Sequence, residues 1–163
     1  PNGHPSEVQN QLQPIFEAVA MANVATSAVQ AKAMGFMAED GIVVMNAERR
    51  FHVARAEVVR LSEQGYLSPP VETHIQVLGR DTAAAFGIAV TQFLDGNFVS
   101  EYDAFLAAQF AHVLTGGDLT GPQFVHEDYL IELEREVFMR LLGETKTQER
   151  ITGLLTTGKP LRN

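Results

Sequence analysis

Ser100-Glu101-Tyr102-Asp103, running on through Leu114 to Thr115-Gly116-Gly117, is the stretch whose reading decides the fold. A serine followed three residues later by an acid is a helix-opening signal. The hydroxyl accepts from a first-turn N–H, and the carboxylate reaches back to the N–H of the cap. A glycine pair after the last apolar residue closes the helix, because glycine enters the left-handed conformation without a Cβ penalty. Start signal, helix and glycine stop recur along the chain. That recurrence makes the fold mainly α, with about six to seven helices in a compact helical domain and at most one or two short strands.

Toward the C-terminus, a loop to about Val125 leads into a helix from His126 to Leu142. Thr145-Lys146-Thr147-Gln148 then reads as a capping box opening a last helix to about Thr156. Toward the N-terminus, Asp95-Gly96-Asn97 is a turn, and Asp81 is the expected cap of the alanine-rich helix before it. Val71 to Leu78 could be extended, and Pro69-Pro70 mark the clearest linker. Asn46 is the expected cap of a long helix to about Gln64, closed by Gly65, with a core face of Phe51, Ala54, Val58 and Leu61. Ile42-Val43-Val44-Met45 is the best strand candidate, and Ser27-Ala28-Val29-Gln30 opens a short helix that stops at Gly35. Apolar residues recur at helical spacing from Ser6 to Ala22. Pro14 conflicts with an unbroken helix, so the helix proper is expected to begin near Pro14 after a looser segment.

The chain has 163 residues, 45% of them hydrophobic and 20% charged, which suits a globular domain with a real core. Its net charge of −8 comes from 12 basic and 20 acidic residues, and only Arg49-Arg50 are adjacent cations. That balance argues against nucleic acid, which needs clustered cations to displace counterions. The apolar run Ala83–Val90 is broken by Gly87 and is far short of the ~20 residues of a membrane span. The absence of cysteine removes disulfides, thiolate metal sites and cysteine nucleophiles, and fits a cytoplasmic setting. A chain that begins at Pro1 without methionine is expected to be a processed chain, a cloned domain or a fragment.

The candidate chemistry is thin. The five histidines include no pair at the i, i+4 spacing of a helical metal site. His126-Glu127-Asp128 cannot converge on one ion from a helix, and acids there suit the helix dipole. Glu132 and Glu136 share a face with Arg140 and read as a solvated, ion-paired helix surface. Thr115-Gly116-Gly117-Asp118 does not match a phosphate loop and reads as a helix end with a turn. Lys146, Arg150, Lys159 and Arg162 leave two readings open. They complement the last helix dipole and its polar tail, or Lys159 projects between Gly158 and Pro160 to meet a phosphate.

Three blocks carry a resemblance. They are Ala20-Met21-Ala22-Asn23-Val24-Ala25-Thr26-Ser27-Ala28 on to Met45-Asn46, then Val99-Ser100-Glu101-Tyr102-Asp103 with Leu114-Thr115-Gly116-Gly117-Asp118, and then Tyr129-Leu130-Ile131-Glu132-Leu133-Glu134-Arg135-Glu136-Val137-Phe138 into the closing stretch. In this order they resemble the C-terminal part of bacterial multifunctional 3-hydroxyacyl-CoA dehydrogenases of fatty-acid β-oxidation that carry an enoyl-CoA hydratase (crotonase-like) region. The resemblance implies that residues 1–67 are similar to the end of a crotonase core and 68–163 form a C-terminal helical segment, together one compact unit. It implies a parent oxidoreductase that uses NAD and acyl-CoA, with the NAD loop and catalytic residues upstream of Pro1. This chain itself then needs no bound cofactor, metal or catalytic residue. Its partners would be the upstream dehydrogenase and crotonase-like regions, and a further copy in a homo-oligomer. Lys159-Pro160 matches a family Lys-Pro ending near the CoA phosphates, so Lys159 and Arg162 are the expected phosphate contacts. The alternative is a stand-alone helical interaction or oligomerisation module.

Overall fold

A computed structural model describes residues 3–163. Its described residues form seven α-helices and a two-stranded antiparallel sheet, so the chain is mainly α. Among the described residues, no helix is long and apolar enough to cross a membrane.

The chain divides into two compact units, one of residues 1–23 with Glu72–Asn163 and the other of Val24–Val71. This differs from a partition at residues 67 and 68. The cause is α1 (Pro5–Ala20), which packs with α4 (Arg80–Asp95) and α5 (Glu101–Leu114) instead of with the residues that follow it. The Phe16 ring of α1 is fully buried and stacks on Phe86 of α4 at 4.6 Å and on Phe110 of α5 at 6.1 Å. Around it lie Val90 and the small face Ala104, Ala107 and Ala111 of α5. Alanines at i, i+3 and i+7 share one side of that helix and let its neighbours approach closely.

Contrary to expectation, α1 runs unbroken through Pro14. Proline removes one helical hydrogen bond and crowds the carbonyl four residues back. Both Pro14 and Asn10, whose carbonyl loses its partner, are exposed, so water can satisfy it. Val8, Leu12 and Phe16 on the inward side hold the helix in place.

The cap of α5 is as read: Ser100 Oγ accepts from the Asp103 N–H at 3.1 Å, and Asp103 Oδ2 accepts from the Ser100 N–H at 3.0 Å. Three other starts shift. Gly79, not Asp81, caps α4, leaving Asp81 in the first turn. Glu144 precedes α7 (Thr145–Thr157) with no side-chain cap, and Gln148 donates instead to the Leu142 carbonyl. His126 caps α6 (Glu127–Leu142) by accepting from the Asp128 N–H at 3.2 Å. The extended reading of 71–78 resolves into β1 (Ile75–Val77), paired with β2 (Gln123–Val125) inside the expected loop. A three-residue strand carries too little alternation to be seen.

In Val24–Val71, Ser27 caps α2 (Ala28–Ala33) by accepting from the Gln30 N–H, and Gly35 at φ 76° follows the helix. Asn46 caps a 3-10 turn, Ala47–Arg49, that leads into α3 (Arg50–Glu63). Two expectations fail here. Ile42–Met45 is not in a sheet, because no other strand lies beside it. The stripe Phe51, Ala54, Val58 is exposed, with only Leu61 half-buried. None of the described residues of this unit is buried. It carries five basic and five acidic residues, so the whole −8 lies in the other unit.

Candidate functional site

The expected phosphate contacts lie just beyond α7. Gly158 adopts φ 67° and turns the chain out of the helix, and the Lys159 N–H donates to Thr157 Oγ1 at 3.2 Å. Lys159 and Arg162 are both exposed, and neither side chain has a polar partner among the described residues. The two other cations of this stretch are held inward. Arg150 donates to Asp103 Oδ1 at 2.6 Å and to Asn163 Oδ1 at 2.8 Å, and it lies 5.0 Å over the Tyr102 ring. Lys146 sits 5.5 Å over the same ring, and the Tyr102 hydroxyl pairs with Thr147 Oγ1 at 2.6 Å. Asn163 Nδ2 donates to Glu149 Oε2 at 2.7 Å. The tail therefore folds back onto α7 and leaves two of the four cations for an anion.

The Arg150–Asp103 pair is only 18% and 15% exposed at the side chains. Burial pushes the Asp103 carboxyl upward. The hydrogen bonds from Arg150 and from the Ser100 backbone and hydroxyl, with the arginine charge, outweigh that and hold it below the ordinary carboxylate value.

A second concentration of polar groups was not anticipated. A groove of about 700 Å³ between α5 and α6 brings together His112, Asp118, Tyr129, Glu132, Glu136 and Arg140. Arg140 does not pair with Glu136 as expected; it donates to Gln109 Oε1 on α5 at 2.5 Å. The Tyr129 hydroxyl donates to the Gly116 carbonyl at 2.9 Å. His112 Nδ1 lies 3.8 Å from Asp118 Oδ1, too far for a hydrogen bond. No hydroxyl hydrogen-bonds the His112 ring among the described residues, so no nucleophile is paired with that base. No group of residues that could hold a metal occurs among them either. The signal for this groove was His112 and Asp118 on either side of the glycine stop, visible only once α6 folds over it.

The glycine stop itself is a structural junction, as read. Thr115 is fully buried and its Oγ1 donates to the Ala111 carbonyl at 2.9 Å. Gly79 N–H donates to the Thr115 carbonyl at 2.7 Å, tying the start of α4 to the end of α5. Gly116, at φ 90°, faces Val77, whose Cγ2 would lie 2.7 Å from an added Cβ.

The chain is 35% identical over 161 residues to a protein of Bacillus subtilis (strain 168) described as "Probable 3-hydroxyacyl-CoA dehydrogenase". The match covers 99% of this chain and 20% of that protein. The chain thus spans about one fifth of the length of the curated relative it matches. No family model matches the chain, and no solved structure matches it.

Proposed function

We propose that this chain is the helical C-terminal portion of a 3-hydroxyacyl-CoA dehydrogenase of fatty-acid β-oxidation. The parent enzyme would oxidise 3-hydroxyacyl-CoA thioesters with NAD and carry a crotonase-like enoyl-CoA hydratase region whose end is residues 1–67. The portion itself serves packing, lid or assembly roles, and the hydride chemistry belongs to residues outside it. The observation that carries this reading is 35% identity over 99% of the chain to a fifth of a relative described as a probable 3-hydroxyacyl-CoA dehydrogenase. A chance likeness would not extend across both compact units.

Lys159 and Arg162 would hold CoA phosphates in the assembled enzyme. Their exposure, the left-handed exit at Gly158 and the neutralisation of Arg150 by Asp103 support that role. CoA binding measured by calorimetry should weaken with salt and with Lys159→Ala; unchanged binding by the variant rejects the contact.

The reading is tested by the natural polypeptide's sequence before Pro1. It should contain a G-x-G-x-x-G between a strand and a helix, the pattern that cradles a dinucleotide pyrophosphate. An unrelated domain there refutes it. The second reading, a stand-alone interaction module, is favoured by the exposed apolar face of α3.

A further inference from the structure

A groove of about 550 Å³ beside α5 and α6 is lined largely by apolar side chains, among them Leu106, Phe110 and Val113 of α5 and Ile131 and Phe138 of α6. Leu106, Phe110 and Val113 recur at i, i+4 and i+7, and Ile131, Glu134 and Phe138 at i, i+3 and i+7, one stripe on each helix. Ile131 is 44% and Phe138 55% exposed, which leaves the groove open to solvent. Its charged lining among the described residues is two carboxylates, Glu127 and Glu134. Glu127 Oε2 accepts from the Glu72 N–H at 3.1 Å, whereas Glu134 has no polar partner among the described residues. A fatty acyl chain would suit the apolar lining, but the phosphates of its CoA end would meet these acids.

The face of α3 carries the complementary pattern. Phe51, Ala54 and Val58 recur at i, i+3 and i+7, with Phe51 74% and Val58 66% exposed. Cations flank this stripe: the Arg50 guanidinium lies 5.0 Å over the Phe51 ring, and Arg55 has no polar partner among the described residues. The neighbouring acid of the helix, Glu57, is already paired with Arg60. An amphipathic helix laid with its apolar face in an apolar groove is a recurring mode of recognition, in which opposite charges at the rim fix the register. We infer that the Phe51–Val58 face of α3 docks in the α5/α6 groove of a second copy of this chain, with Arg55 set against Glu134. Charge selects that occupant, because the groove belongs to the unit that carries the whole −8 and the helix face is flanked by arginines. Groove and helix face are different surfaces, so the contact is heterologous and joins copies in a ring or a chain. It needs no dehydrogenase region and stands apart from the function proposed above.

Sedimentation of the chain over a range of concentrations tests this. Its mean mass should rise with concentration, and the rise should weaken with salt. Phe51→Asp and Ile131→Asp alter exposed side chains, so neither opens the core around Phe16. Each should weaken self-association about 30-fold or more. Mixed in equal amounts, the two variants should pair one to one, since one keeps its groove and the other its helix face. Arg55→Glu and Glu134→Arg should each weaken association, and both changes in one chain should restore it. A chain that stays monomeric at every concentration overturns the inference and leaves the groove to a different polypeptide. A mixture of variants that does not pair overturns it too, because like faces are then in contact. Should an aspartate variant fail to fold, the charge exchange decides alone: association that the exchange does not restore overturns the inference.

Discussion

At the residue scale, Arg150 of α7 contacts three residues: Asp103 at the start of α5, Tyr102 beside it, and Asn163. Hydrogen bonds to charged groups contribute about 1.5–3 kcal/mol each when partly buried. Arg150→Ala should therefore cost about 1–3 kcal/mol in a denaturant titration and release the tail to proteolysis. The pH sign follows from Asp103, whose folded pKa lies below its unfolded one. Its stabilisation is present above the unfolded value of about 3.9 and is lost as pH falls through the folded value. The stability of Asp103→Asn should consequently fall less steeply than that of the parent chain below about pH 4. The cap formed by Ser100 and Asp103 was legible in the sequence because both partners lie within one helical turn. The role of Arg150 was not, since its acceptor lies 47 residues away, and the arginine read instead as one of a group of cations at the chain end.

Among the elements, the helix and glycine grammar was readable wherever a local rule sets the boundary, as at Gly35, Gly65 and Gly116. It failed where tertiary packing decides. Pro14 read as a helix start, yet Val8, Leu12 and Phe16 keep α1 continuous through it. Because Pro14 is exposed and proline is about 3 kcal/mol worse than alanine inside a helix, Pro14→Ala should raise the thermal midpoint, by an amount corresponding to about 1–3 kcal/mol. A lowered midpoint would show that the proline itself is needed at this position. Gly116→Ala should act oppositely. It combines a left-handed backbone with a 2.7 Å approach to Val77, and should cost at least about 1 kcal/mol by the same measurement. Ile42–Met45 was misread in another way, for its pattern is that of a strand but no other strand lies beside it among the described residues.

For the whole molecule, the mainly α fold was legible from caps and apolar spacing. The division into two units was not, because α1 packs onto partners as distant in sequence as Phe86 of α4 and Phe110 of α5. Lys159 and Arg162 were marked as phosphate contacts by the resemblance of the closing stretch, and the structure leaves both side chains without polar partners among the described residues. The polar groove of His112 and Glu132 could not be seen until α6 was placed against α5. One unit has a buried core around Phe16, and the other leaves the Phe51 and Val58 side chains exposed. The proposed function puts the hydride chemistry outside this chain. NADH formation from NAD and a 3-hydroxyacyl-CoA, followed with equimolar isolated chain and natural polypeptide, tests it most directly. Turnover is expected from the polypeptide and none from the isolated chain. Turnover by the isolated chain that is abolished by substituting one of its own side chains, such as His112→Ala, would contradict it.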